Sequence, residues 1–210
     1  LELYKSSYTG AFYERFILGR WTAAEGLVYE LPADAVTDDV PHGGEYYISC
    51  DYGTLNPFSA GLWCLRDGVA TRIAEYYHDG RESGVQLTDE EYYSELVRLA
   101  GDRDIRAVIA DPSAASFITL IKRKGRFRVK KARNDVLNGI RLTACLIKIG
   151  RVKIHRSCKD ALREFSLYRW DSSAETDRVI KENDHAMDDI RYFCYTVIRR
   201  ADGAYSGESI

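Results

Sequence analysis

From residue 45 onward the chain switches repeatedly between period-two apolar runs and stripes of helical period. Tyr46-Tyr47-Ile48-Ser49-Cys50-Asp51-Tyr52 is β-rich and stops at Gly53. A second run covers 58–65, and Asp67-Gly68 turns it into a third over 69–77, a hairpin signal. Thr88, with Glu91 three residues later, predicts a capping box that opens a helix over 88–100. Tyr92, Leu96 and Leu99 share one face of that helix. A short buried-type strand over 105–110 ends at Asp111-Pro112. The pattern then predicts a helix over 114–122, a strand over 127–129, and a helix over 134–149 closed by Gly150. A strand over 152–154, a helix over 158–167 and a hairpin through 168–180 follow. The final helix covers 184–198, with Ala186, Ile190, Phe193 and Val197 on one stripe. Three meandering strands followed by alternating helices and strands predict an α/β fold, a mixed sheet with helices on both faces.

Residues 1–44 differ from the rest. They carry Tyr4, Tyr8, Phe12, Tyr13, Phe16, Trp21 and Tyr29 without strand-like runs, and end in a turn-rich piece from Pro32 to Gly44. An arm leading into a domain at 45–200 is the expectation, with a frayed tail over 201–210. Met187 is the only methionine, which suggests a piece of a longer protein.

Composition narrows the classes. The 210 residues are 45% hydrophobic and 30% charged, the balance of a globular chain of single-domain size. A formal net charge of −2 announces neither a nucleic-acid binder nor an acidic tail, so such partners must be read from local clusters. No apolar run is long enough to span a membrane, and the first residues lack a signal-peptide pattern. Five cysteines with no C-x-x-C pair argue against a zinc ribbon or a disulfide framework; reduced, mostly buried thiols of a cytosolic protein are expected. No G-x-x-x-x-G-K-[ST], G-x-S-x-G or G-x-G-x-x-G occurs, which argues against ATP hydrolysis, a hydrolase elbow and a dinucleotide site.

Three acidic positions stand out by location. Asp51 and Asp111 each end an apolar strand, where a carboxylate costs desolvation unless it is compensated. If the two strands are parallel neighbours, both acids meet at the carboxyl edge of the sheet, the usual ligand edge of open α/β sheets. Asp184-His185-Ala186-Met187-Asp188-Asp189 starts the last helix. Asp184 and Asp188 share a face opposite the apolar stripe, with His185 beside them. Taken singly, these residues read as a turn, a pre-proline turn and a helix cap. Together they point to carboxylates neutralised by Mg²⁺ or Mn²⁺, two such ions being able to activate water against a phosphodiester. Lys122, Arg123, Lys124, Arg126, Arg128, Lys130, Lys131 and Arg133 form a basic segment without an acid, suited to DNA phosphates. Lys181 could approach a phosphate or a metal-bound water, although a surface lysine is the plainer assignment. Arg191 is expected to pair with the acids and hold the helix. His42, His78 and His155 have no partners at metal spacing.

Asp51-Tyr52-Gly53 with Asn56-Pro57, Ala110-Asp111-Pro112-Ser113-Ala114, and Asp184 through Tyr192 resemble the nuclease domain of tailed-phage terminase large subunits. Phe16-Ile17-Leu18-Gly19-Arg20-Trp21 with Glu25-Gly26-Leu27-Val28-Tyr29 resembles the stretch that links the packaging ATPase to that nuclease. The acids are separated by 60 and 77 residues, in the family's order. The resemblance implies an RNase H-like mixed sheet of five or more strands with an extra hairpin near the active site. It also implies two-metal cleavage of double-stranded DNA. Asp51, Asp111 and Asp188 match the family's acids and His185 its histidine; Asp189 competes with Asp188, and Asp184 is a candidate supporting residue. The implied partners are double-stranded DNA, the missing ATPase domain, the small terminase subunit and the portal protein. The implied setting is the host bacterial cytoplasm, with the protein absent from the mature virion. A resolvase or hybrid nuclease, or a non-catalytic DNA or portal docking module, are the alternatives.

Overall fold

A computed structural model describes residues 26–174 and 176–198. The arm residues up to Glu25 and the tail lie outside the described residues. The strands are β1 (Val36–Thr37), β2 (Glu45–Asp51), β3 (Phe58–Arg66), β4 (Val69–His78), β5 (Ile105–Ala110), β6 (Val129–Lys131) and β7 (Val152–His155). The helices are α1 (Gly80–Ser83), α2 (Asp89–Ala100), α3 (Ala115–Lys124), α4 (Val136–Lys148), α5 (Lys159–Phe165) and α6 (His185–Phe193). The strands form one seven-stranded sheet in the order β1-β7-β4-β3-β2-β5-β6. β2, β3 and β4 are the antiparallel meander; β5 joins β2 in parallel, and β6 joins β5 in parallel.

Alternation along each strand divides the sheet between two cores. Ile48 and Cys50 of β2, Ala60 and Leu62 of β3, and Val108 and Ala110 of β5 pack under α2 and α3. Tyr47, Trp63, Ala107 and Ile109 face the other side, against α4, α5 and α6. On the first side Phe58 stacks on Tyr92 at 4.2 Å; on the second Trp63 stacks on Phe193 at 4.3 Å. Helices thus cover both faces, as the pattern predicts. The period of two also puts Asp51 with Tyr47, and Asp111 with Ala107 and Ile109, on the α6 side.

Local signals act as read in the sequence at several points. Thr88 and Glu91 form the reciprocal capping box. Asp67 takes a positive φ of 50° in the turn before Gly68. The five cysteines are free, four of them buried. No helix among the described residues is long and apolar enough to cross a membrane.

Other elements differ. β6 starts two residues later than expected, because Phe127 packs against Tyr93 as a loop anchor and Val129 is the first residue to pair with β5. β1 is a two-residue edge strand on β7, too short to leave a pattern. The final helix gives way after Phe193 to a wider π turn over Cys194–Ile198. The expected hairpin is reduced to one bridge, Trp170 with Val179, flanked by backbone bonds from Asp171 to Arg178 and from Ile180 to Arg169. An ion pair between Arg178 and Asp171 at 2.6 Å reinforces it.

Gly139 is a glycine inside helix α4, a position that normally costs about 1 kcal/mol relative to alanine. A Cβ there would lie 2.8 Å from Cγ of the buried Arg191 side chain. Gly139→Ala is therefore expected to lower stability in urea unfolding rather than raise it by the usual increment. A more stable variant would mean that Arg191 moves aside freely.

Candidate functional site

The parallel pairing of β2 with β5 sets Cys50 opposite Ala110, so Asp51 and Asp111 follow at adjacent strand ends. α6 lies across the same end of the sheet. A cleft of about 1500 Å³ opens there, lined by Asp51, Asp111, Asp184, His185 and Asp188. Lys181, Arg191, Tyr192 and Asn134 complete this part of its wall.

Each carboxylate has a partner that the fold supplies. His185 Nδ1 is hydrogen-bonded to Asp51 Oδ2 at 2.9 Å. Asp111 Oδ1 accepts from the backbone N–H of Ser113 at 2.8 Å, and Tyr192 OH lies 3.4 Å from Oδ2. Asp188 Oδ1 accepts from Arg191 Nε at 3.1 Å and Nη2 at 3.0 Å. Its other oxygen takes the Lys181 ammonium at 3.2 Å, which also reaches Asp184 Oδ2 at 3.1 Å. Arg191 is itself held by Asn134 at 3.0 Å.

The electrostatics follow from this crowding. Burial pushes the Asp51 carboxyl up to about 7; the neighbouring Asp188 and Asp111 add to the rise and His185 opposes it. Burial alone would lower the His185 imidazole, but hydrogen bonding and charge from Asp51, then Asp184 and Glu164, raise it instead. Lys181 is raised in the same way: burial disfavours its charge, and Asp188 and Asp184 more than restore it.

Asp189 faces elsewhere. It is fully buried, and its Oδ1 accepts from Ser49 Oγ at 2.8 Å and Arg72 Nη1 at 2.5 Å. Its Oδ2 accepts from Ser59 Oγ and from Arg72 Nη2 at 3.0 Å. Four donors occupy the roughly four lone-pair sites of a carboxylate, leaving none for a metal in the cleft. Asp188, not Asp189, is the acid that α6 presents there.

The basic segment is only partly near the cleft. Lys122, Arg123 and Lys124 form the last turn of α3, with Arg126 and Arg128 beyond it and Lys130 and Lys131 in β6. Lys124 pairs with Glu90 at 2.7 Å, and Arg126 donates to the Gly101 carbonyl at 2.6 Å, so both also serve the fold. Lys131 pairs with Ala110, one residue before Asp111. Lys130, Lys131 and Arg133 therefore run toward the acidic edge, and all but the half-buried Lys130 are exposed. His78, at the end of β4, is hydrogen-bonded to the Val85 carbonyl at the rim of the cleft, and His155, at the end of β7, to Ser157 and the Asp38 carbonyl.

Arg72, Glu164 and Tyr192 were not singled out from the sequence. Tyr192 carries no signal by spacing alone. Arg72 does: a buried arginine needs room, and Gly61 in the middle of β3 supplies it, since a Cβ there would lie 1.9 Å from Arg72 Nη1.

A divalent cation of the magnesium kind prefers oxygen donors, which Asp51, Asp111 and Asp188 provide. Burial raises Asp51, and repulsion from Asp188 and Asp111 adds to the rise. Among the described residues no three His, Cys, Asp or Glu side chains are gathered closely enough to hold an ion as they stand. The donor set fits in kind, and an ion binding Asp188 Oδ2, the oxygen that Arg191 leaves open, must displace the Lys181 ammonium.

No family model and no curated protein matches the sequence. Among solved structures, the large terminase from a thermophilic bacteriophage, in complex with ADP, matches at 44% identity and a TM-score of 0.89. The match covers 94% of this chain and 51% of that one, so the chain spans about half the length of that relative. The P22 large terminase nuclease domain matches at 18% identity and a TM-score of 0.67, over 85% of this chain and 95% of that one. The large terminase nuclease domain of bacteriophage SPP1 with bound Mn matches at 16% identity and a TM-score of 0.56, over 78% and 97%. The two more distant likenesses establish the fold, and the match to the thermophilic phage protein adds sequence identity along nearly the whole chain: it belongs to the large-terminase family and has the RNase H-like fold of the family's nuclease domains.

Proposed function

We propose that this chain is a metal-dependent endonuclease that cleaves double-stranded DNA during viral genome packaging. The observation that carries this reading is the parallel register of β2 and β5, which sets Asp51 beside Asp111 on the face that α6 covers. Asp51, Asp111 and Asp188 would hold two Mg²⁺ or Mn²⁺ ions; when bound, these supply an activated water and charge neutralisation at the scissile phosphate. The bound Mn of the SPP1 nuclease supports the choice of metal.

The chain's own residues do the rest. His185 Nδ1 shares a hydrogen bond with Asp51 Oδ2 and fixes that carboxyl's orientation. Arg191 clamps one oxygen of Asp188 and leaves the other toward the cleft. The Ser113 N–H does the same for Asp111. Lys181 neutralises Asp184 and Asp188 until a competing cation enters. Lys130, Lys131 and Arg133 lead the duplex toward the acids. The packaging ATPase domain, the small terminase subunit and the portal protein are the proposed partners in the motor.

Nicking of supercoiled plasmid in Mn²⁺ tests the activity. Asp51→Asn is expected to slow nicking by at least about 100-fold, the upper end of what loss of an outer-shell partner costs. Equal nicking by the variant would remove Asp51 from the chemistry. Replacing Lys130, Lys131 and Arg133 with Ala should lower the slope of log affinity against log salt by about 2 to 3, roughly one unit for each phosphate no longer neutralised. An unchanged slope would place the DNA elsewhere.

The raised Asp51 carboxyl has a consequence for the metal-free protein. Between about pH 4 and 7 the folded state holds a proton that the unfolded state releases. Its stabilising contribution is complete below the unfolded value and is lost as pH rises through 7. Urea unfolding in EDTA should show stability falling from about pH 4 to about pH 7, by at most about 1.4 kcal/mol per pH unit from this group. The fall should be shallower in Asp51→Asn. Parallel pH profiles for the two proteins would contradict the assignment.

A further inference from the structure

From Ala186 to Phe193 every residue of α6 is buried, including those that carry its charge. Its N-terminus has no side-chain cap of its own; the Ala186 N–H is instead accepted by Glu164 Oε2 of α5 at 2.7 Å. Further along the helix Asp189 is gripped from three adjacent strands at once: Ser49 of β2, Ser59 of β3 and Arg72 of β4. Arg72 approaches with both terminal nitrogens, and the same guanidinium lies 3.4 Å from Glu75. Glu75 in turn accepts the backbone N–H groups of Asp160 and Ala161 at the start of α5. One buried arginine therefore ties the sheet to α6 directly, and to α5 through Glu75.

Successive residues of a helix point about 100° apart. Fixing Asp189 against the sheet thus fixes the rotation of α6, and with it the direction of Asp188 and His185. A rotation that freed Asp189 would swing Asp188 away from Lys181 and His185 away from Asp51. Apolar packing resists such a rotation less specifically than a carboxylate with two-pronged partners does.

We propose that Arg72 is a positioning residue for the acidic cleft: clamped on Asp189, it sets the rotation of α6 that turns Asp188 and His185 toward the end of β2. Arg72 and Asp189 touch neither substrate nor metal in this scheme. The proposal rests on the nuclease reading for its effect on cleavage, and on the fold alone for its effect on α6.

The test exchanges the pair for apolar residues, Arg72→Met with Asp189→Leu, in the full chain. Swapping both members of a buried ion pair is commonly neutral or stabilising, so the variant is expected to fold. Arg72→Lys is the second variant; it keeps the charge and loses the two-pronged grip. In either folded variant Mn²⁺ affinity, measured by calorimetry with the metal alone, should fall about tenfold or more. The kcat for plasmid nicking should fall while KM for DNA holds. Amide hydrogen exchange across α6 should quicken about tenfold relative to β3, a sign of local opening rather than global loss of stability. Folded variants with wild-type Mn²⁺ affinity, kcat and α6 exchange would overturn the proposal and leave the pair as core filling. A wild-type protein that neither binds Mn²⁺ nor nicks DNA would sink the nuclease reading, and the exchange of α6 would still decide the positioning claim.

Discussion

Burying carboxylates at the end of a sheet costs free energy unless opposing charge or hydrogen bonds compensate it, and the register of β2 against β5 forces that burial here. The residues just before each acid, Ile48 to Cys50 in β2 and Ala107 to Ala110 in β5, are buried, so Asp51 and Asp111 have little freedom to turn to solvent. The molecule meets the cost residue by residue. An imidazole serves Asp51, a backbone N–H serves Asp111, and a guanidinium and an ammonium serve Asp188. Asp51 is not fully compensated, which is why it holds its proton up to about pH 7. A site poised in this way gains more from a cation than a solvated acidic patch would.

The compensating groups also explain two awkward glycines. Gly61 lies within β3 and Gly139 within α4, each at some cost in local stability. The first leaves room for the Arg72 guanidinium and the second for the Arg191 stem. Both arginines reach acids of α6, Arg72 from the sheet and Arg191 from the same helix. The sequence therefore surrenders regular-element stability where two buried cations must pass.

Much of the scaffold was readable from pattern alone. The β2–β4 meander, the Thr88 capping box and the apolar strand before Asp111 are local, and their signals lie within a few residues. The placement of Asp51 and Asp111 followed once parallel neighbours were assumed. The environment of α6 was harder to read. Its stripe of Ala186, Ile190 and Phe193 marked one buried face, and the opposite face was expected to point into a cleft. That face does line the cleft through Asp184, His185 and Asp188, but Asp184 and Asp188 are themselves buried, held by Lys181 and Arg191. Asp184 looked like a cap and makes no capping bond, since Glu164 caps α6 from another helix. Asp188 and Asp189 could not be told apart by spacing. The partner that separates them, Arg72, lies 117 residues away in sequence.

The central claim is that Asp51, Asp111 and Asp188 form one divalent-cation site at the end of the sheet. Anomalous diffraction from crystals soaked in Mn²⁺ tests it most directly. Manganese density is predicted between these carboxylates, with the Lys181 ammonium withdrawn from Asp188. Manganese bound only outside the cleft, with Lys181 still bridging Asp184 and Asp188, would contradict it.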